Sequence, residues 1–124
     1  MSQDIVADTL NQIMNAKRAG KAEVEVSHYS KFLLSVLALA KLKSYVNSYK
    51  IDSAKLHIEI GKINGCKAIK PRYMVQVNEI EKYVKRYLPA RGIGILMVST
   101  SQGLMTHQTA LEKNLGGSLI AYMY

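Results

Sequence analysis

The order of hydrophobic and polar residues predicts two helices and three strands in the first half of the chain. Apolar residues recur at helical spacing from about 4 to 18, where Asp4 is placed to cap the helix and the bases and glycine of NAKRAGK end it. AEVEV alternates charge and valine, which predicts a half-buried strand over 22–26. Ser30 is placed to cap a second helix, KFLLSVLALAKLK, and YVNSYKI and KLHIEIGKI are typical of a β-hairpin. Together these elements predict a lobe of two helices on a three-stranded sheet.

The second half of the chain predicts a lobe that is richer in strands. The turn-forming NGCK favours a boundary that divides the chain into 1–64 and 65–124. KAIKP and RYMVQV read as short strands, NEIEKYVKRYL as an amphipathic helix over about 78–88, and GIGILMVST as a buried strand. Thr106 is placed to cap a helix to about Leu115, Gly116-Gly117 ends it, and SLIAYMY is a terminal strand. The predicted fold is α+β in two small lobes, the second a mostly antiparallel sheet with one or two helices.

Charge changes this picture from a generic domain to one with a polyanionic partner. The chain of 124 residues carries 17 Lys and Arg against 9 Asp and Glu, a formal net charge of +8. Acids are absent between Glu25 and Asp52 and between Glu59 and Glu79, while bases continue through both stretches. We therefore expect a broad cationic surface that binds a polyanion. The alternative left open is that these bases only form a solvated face.

Several classes of protein find no support in the sequence. No apolar run approaches the roughly 20 residues of a membrane span, and two acids precede the first base at the N-terminus, unlike a presequence. We therefore expect a cytoplasmic protein without a membrane partner. A single cysteine, Cys66, excludes an internal disulfide and a cysteine-based zinc cluster, and we expect it to be buried. Neither a metal nor another cofactor is indicated, because GIG lacks the third glycine of a dinucleotide site and no metal-ligand spacing occurs.

The stretch STSQG places three consecutive hydroxyl residues at the end of the predicted buried strand. A nucleophile elbow centred on Ser101 needs glycine on both sides, and only Gly103 fits, because Ser99 occupies the other glycine place. The three histidines, at positions 28, 57 and 107, have no acid at a telling spacing. A small serine-dependent hydrolase that uses Ser99 or Ser101 is kept as the alternative function.

The preferred interpretation treats Ser99, Thr100, Ser101 and Gly103 as a contact loop between a buried strand and a helix N-terminus. Hydroxyls donate and accept hydrogen bonds, which suits ribose 2′-OH groups, base edges and phosphates. Gly103 would let the backbone approach closely, and the N–H groups of the helix that begins near Thr106 would add a modest preference for anions. The plainer alternative is that the hydroxyls only cap the turn.

These segments also resemble the ribosomal protein S8 family of the small subunit. ILMVSTSQGLMTHQTALEK and GGSLIAYMY carry the resemblance, which extends through KAIKPRYMVQVNEIEKYVKRYLPARGIG and back to DIVADTLNQIMNAKRAGK and the pair Ser30-Lys31. The KPR, RYLPAR and AYMY segments are similar to the archaeal branch, which is akin to the eukaryotic cytoplasmic form. Two positions depart from the family pattern, which usually has proline where this chain has His28 and a charged residue where it has Ser118.

The resemblance implies a two-lobed structural constituent of the small ribosomal subunit that is not an enzyme. Such a protein binds a helical junction in the central domain of the small-subunit ribosomal RNA, supports assembly, has neighbouring ribosomal proteins as partners and takes no small-molecule substrate. The family's STS loop lies against the RNA, which implies contacts by Ser99, Thr100 and Ser101. Further RNA-facing residues are implied by matched positions, namely Asn15, Lys17, Lys31, Arg72 and Arg91.

Overall fold

Two helices pack against a three-stranded antiparallel sheet in the first part of the chain. The computed structural model describes residues 5–70, 72–90 and 92–124, and the chain divides into two compact units between Cys66 and Lys67. The helices of the first unit are α1 (Ile5–Arg18) and α2 (Lys31–Leu42), and its strands are β1 (Glu23–Val26), β2 (Val46–Asp52) and β3 (Lys55–Ile60). The strand order is β1-β3-β2, so β3 lies at the centre.

Local sequence explains why these elements form where they do. Leu10 and Ile13 of α1 and Leu33 and Leu37 of α2 are fully buried, as their helical spacing predicts. The Ser30 side chain accepts a hydrogen bond from the backbone N–H of Leu33 at 3.2 Å and so caps α2 as expected. The hydrophobic pattern therefore fixes both helices on one core.

The second unit is built on a five-stranded sheet. Its strands are β4 (Cys66–Ala68), β5 (Met74–Val75), β6 (Ile95–Thr100), β7 (Gly103–Thr106) and β8 (Gly117–Met123), in the order β4-β8-β6-β7 with β5 also paired to β8. One 3₁₀ turn (Val77–Glu79) leads into α3 (Ile80–Tyr87), and α4 (His107–Lys113) follows β7. Ile80 of α3 and Ala110 of α4 share a buried core with Leu96, Val98 and Leu119 of the sheet. The longest strands, β6 and β8, therefore form its rigid centre.

The α+β class is confirmed, with the expected three-stranded antiparallel sheet and two helices in the first unit. Strand β7 was not predicted, because its four residues are too few to show an alternating pattern beside a helix cap. The predicted stop of the last helix at Gly116-Gly117 was wrong. Asn114 ends α4 instead, in the left-handed region at φ 57°. In the structure the two compact units meet between Cys66 and Lys67, whereas the sequence analysis places the division after residue 64. The predicted helix cap at Asp4 lies outside the described residues.

Candidate nucleic-acid interface

The hydroxyl residues Ser99 to Ser101 lie at the tip of a tight β-hairpin. Strands β6 and β7 pair antiparallel, with Thr100 opposite Gly103, so only Ser101 and Gln102 lie between the strands. Gly103 has φ +108°, a conformation that a residue with a side chain rarely adopts. The expected contact loop between a strand and a helix is therefore a hairpin, because Leu104 and Met105 continue as a strand before the helix begins.

The three hydroxyls have different surroundings. The Oγ1 atom of Thr100 accepts a hydrogen bond from the Gln102 N–H at 3.1 Å and donates one to the Gly103 carbonyl at 2.9 Å. Thr100 therefore closes the turn, which is the capping role left open by the sequence. Ser101 is exposed, and Ser99 is half-buried. Ser101 is thus the hydroxyl most available to a ligand, on a turn that Thr100 holds in shape.

Two glycines fix the position of the hairpin against its neighbouring strands. A side chain at Gly117 would collide with the Ser99 carbonyl oxygen and would lie 3.1 Å from the Thr100 Cα. A side chain at Gly116 would lie 2.5 Å from the Val75 carbonyl oxygen. The glycine pair is therefore required by close backbone approach at the end of the sheet where the hairpin begins.

The site includes residues that sequence reasoning did not assign to it. Ser118 lies directly opposite Ser99 across β8 and β6, and Met74 lies opposite Ser118 across β5 and β8. Residues in direct register point to the same face of a sheet, so these side chains form one row. Met74 is 76% exposed, and the Ser118 hydroxyl donates to its sulfur at 2.7 Å. The departure from the family pattern at Ser118 was the available signal.

The N-terminus of α4 is capped by a side chain of its own segment. Thr106 is buried, and its Oγ1 accepts a hydrogen bond from the Thr109 N–H at 3.2 Å. His107 is also buried, and its Nδ1 accepts a hydrogen bond from the Leu96 N–H at 3.1 Å. Strand β7 lies between the hairpin tip and this helix, so the N-terminus of α4 is not part of the tip. Its first turn is capped by Thr106.

The remaining predicted residues lie outside the hairpin. Asn15 and Lys17 are exposed in the last turn of α1, where the Nη1 atom of Arg18 donates to the Asn15 Oδ1 at 3.3 Å. Arg18 follows Lys17 in the same basic segment, NAKRAGK. Lys31 is exposed at the first position of α2. Arg72 is exposed in the second unit, and Arg91 lies outside the described residues.

Lys31 occupies an electrostatically unfavourable place. The N-terminus of a helix carries a partial positive charge and favours acids, yet the first turn of α2 contains none. A lysine there is repelled by the helix unless an anion lies beside both. The position of Lys31 therefore favours a negatively charged ligand beside it.

The described residues offer no catalytic arrangement around the serines. The His107 Nδ1 accepts the Leu96 N–H, and among the described residues no group of three metal-ligating side chains occurs. His57 lies in the other unit, with its Nδ1 3.7 Å from a Glu25 carboxylate oxygen. Burial raises the pKa of the Cys66 thiol to about 12, so this buried cysteine is not a reactive thiolate.

A net positive charge with exposed lysines and arginines, together with a hairpin that displays hydroxyls, is typical of the class of proteins that bind folded RNA. Comparison with known proteins agrees. The family described as Ribosomal protein S8 matches residues 4–124, and the chain is 40% identical over 129 residues to the small ribosomal subunit protein uS8 of Nanoarchaeum equitans (strain Kin4-M), covering 100% of both chains.

The chain belongs to the ribosomal protein S8 family. It is a structural constituent of the small ribosomal subunit and binds ribosomal RNA, with neighbouring small-subunit proteins as its other partners. Its place is the ribosome of the cytoplasm. The hydrolase alternative is not supported. Within the described ranges, no helix is both long and apolar enough to cross a membrane.

Proposed function

We propose that this chain acts without catalysis as a primary RNA-binding protein that recognises one helical junction in the central domain of the small-subunit RNA. The hairpin tip from Ser99 to Gly103 supplies selectivity, and exposed bases supply most of the affinity. The supporting observation is the division of labour in the hairpin, where Thr100 holds the turn and Ser101 is exposed.

The chemistry of the hairpin suits RNA more than DNA. Ribose 2′-OH groups both donate and accept hydrogen bonds, and they lie in the wide minor groove of an A-form helix. A serine hydroxyl can satisfy either role, whereas a lysine could only donate. Contacts of this kind depend on shape, so a turn with fixed geometry discriminates one RNA surface from another.

The bases have a different role. Lys17, Lys31, Arg72 and Arg91 are proposed to hold phosphates, whose positions vary little between RNA helices. Asn15, a neutral amide, is proposed to face the RNA as a hydrogen-bonding group. Replacing Lys31 or Arg72 by alanine is therefore expected to weaken binding to the cognate junction and to a random duplex alike.

A variant that lacks the hydroxyls of Ser99 and Ser101 tests the proposal. It keeps Thr100, so the hydrogen bonds that hold the turn remain. Ser99→Ala with Ser101→Ala should bind the junction about tenfold more weakly, since two hydrogen bonds are lost, and should bind a random duplex nearly as before. Affinities are measured with transcripts of both RNAs, and footprinting shows whether one junction is protected.

Ser48→Ala is the matched control. The Ser48 hydroxyl donates to a Glu59 carboxylate oxygen at 3.2 Å on the sheet of the first unit, a place that repels phosphate. This variant should bind the junction like the unmodified protein. Equal losses on both RNAs for the hairpin variant would contradict the role of the hairpin in selectivity.

A further inference from the structure

Five tyrosines form a continuous stacked row in the second unit, which we call the tyrosine ladder. Its neighbouring ring centroids are 5.4–6.4 Å apart, and its interplanar angles are 26° or less. Two rings belong to α3, and the others come from the segment before β5, from β8 and from the residue after β8. In order along the row, the members are Tyr73, Tyr83, Tyr87, Tyr122 and Tyr124.

The ladder supplies more than the core requires. All five rings are half-buried and pack against the buried core of the second unit. Phenylalanine would cover that core equally well, yet the chain has 8 Tyr and only 1 Phe. Half-buried tyrosines keep the ring against protein and the polar tip in water. The row therefore places partly exposed tyrosines of α3, of β8 and of the flanking segments beside one another.

The charged residues of α3 lie on two different sides of the helix, one beside the tyrosine ladder and one beside a cavity. Lys82 and Arg86 are exposed and lie over ladder rings, with the Lys82 Nζ 5.9 Å from the Tyr83 centroid and the Arg86 Cζ 5.6 Å from the Tyr87 centroid. Glu81, the one acid of α3, lines a cavity of about 430 Å³ on the other flank, together with Lys85.

Glu79, the acid that directly precedes α3, is engaged in a hydrogen bond of its own. The Glu79 carboxylate accepts a hydrogen bond from the Gln76 N–H at 2.9 Å and so caps the turn before α3. The ladder flank of α3 therefore carries two cations held against aromatic rings. Holding long side chains in place reduces the entropy lost when they bind a ligand.

We propose that the tyrosine ladder, with Lys82 and Arg86, is a second RNA-contact surface that binds sugar–phosphate backbone. The cations pair with phosphates, and the tyrosine hydroxyls donate to phosphate oxygens or to ribose. The inference rests on the proposed function and extends it to residues outside the hairpin.

Two variants test this surface with the full chain and a transcript of the central-domain junction. Lys82→Gln with Arg86→Gln should lower affinity roughly tenfold and reduce the slope of log affinity against log salt by about 2, since two phosphate contacts are lost. Tyr83→Phe with Tyr87→Phe and Tyr124→Phe keeps the rings and removes three hydroxyls, and it should lower affinity at least threefold with an unchanged unfolding midpoint.

Lys85→Gln is the matched control, because it removes one positive charge from the same helix on the flank away from the ladder. Its affinity should stay within twofold of that of the unmodified protein. The inference is overturned if either ladder variant also binds within twofold, or if Lys85→Gln loses as much per charge as the cation variant. The hairpin variant, measured beside them, separates the two proposals: if only that variant loses binding, the ladder alone is wrong, and if the unmodified protein does not bind the junction, both fall.

Discussion

At Thr100, one hydroxyl makes two hydrogen bonds within the turn, and these bonds remove it from the groups that RNA can use freely. Its neighbour Ser101 is exposed. Neighbouring hydroxyl residues therefore have different roles: Thr100 stabilises the turn, and Ser101 is accessible to a ligand. The sequence shows that three hydroxyls are present, but only the paired register of β6 and β7 shows which one caps the turn.

Thr100→Val should therefore affect stability more than Ser101→Ala does. Valine keeps the branched shape but cannot bond to Gln102 or Gly103, so the free energy of unfolding should fall by about 1 kcal/mol. Ser101→Ala should change it by no more than about 0.5 kcal/mol while weakening RNA binding. Urea unfolding and RNA titration of both variants check this, and equal stability losses would contradict the capping role.

At the scale of elements, the hairpin of β6 and β7 and the glycines of β8 show what a sequence pattern can and cannot give. The unbroken apolar run of β6 comes from burial on both faces of the strand, and the periodicity of α2 comes from burial on one face of the helix, so both were predicted. Strand β7 owes its conformation to pairing with β6 rather than to its own four residues. The same holds for Gly117, whose role depends on the strand beside it.

Gly117→Ala should be strongly destabilising. The added Cβ would meet the backbone of Ser99, which cannot move without separating β8 from β6, and we expect a loss of about 2 kcal/mol or more. Gly20→Ala is the comparison, because Gly20 has φ +77° but no atom within 4 Å of an added Cβ. Its cost of about 1 kcal/mol comes from the backbone conformation alone. Thermal unfolding ranks the two, and the reverse order would refute the close-approach argument.

Helix α2 offers a test in which stability and binding change in opposite directions. Lys31→Glu places an acid at the helix N-terminus, which should stabilise the protein by about 0.3–1 kcal/mol at low salt and weaken RNA binding. Lys41→Glu makes the same charge change in the last turn of the same helix, where it should destabilise. Chemical unfolding and RNA titration at one ionic strength measure both effects. A loss of stability for Lys31→Glu would show that the positive charge of Lys31 is not repelled by the N-terminus of α2.

For the whole molecule, the net charge of +8 governs how RNA affinity depends on salt. Exposed lysines and arginines occur in both units, so phosphate contacts are available along the whole chain. If six to ten phosphates are engaged, affinity should fall about 10³- to 10⁵-fold between 50 and 200 mM salt. Filter binding over that range checks it. A flat response would mean that the charge is not used for RNA.

The fold class and the position of the hydroxyl segment after a buried strand were within reach of the sequence, because both depend on local patterns such as Ser30 before α2 and the apolar run before Ser99. The tyrosine ladder was not. Its members are spread from Tyr73 to Tyr124 and have no common spacing, so only the folded sheet and α3 bring them together. A feature made by contacts between residues far apart in sequence becomes apparent only in the folded protein.

The ladder also determines which part of the protein dominates its near-ultraviolet circular dichroism. The chain has no tryptophan, and five of its eight tyrosines are stacked on one another within the second unit. Near-ultraviolet circular dichroism therefore follows the packing of Lys67–Tyr124 far more than that of the helices in the other half. A loss of that signal while helical dichroism persists would mark separate melting of the two halves.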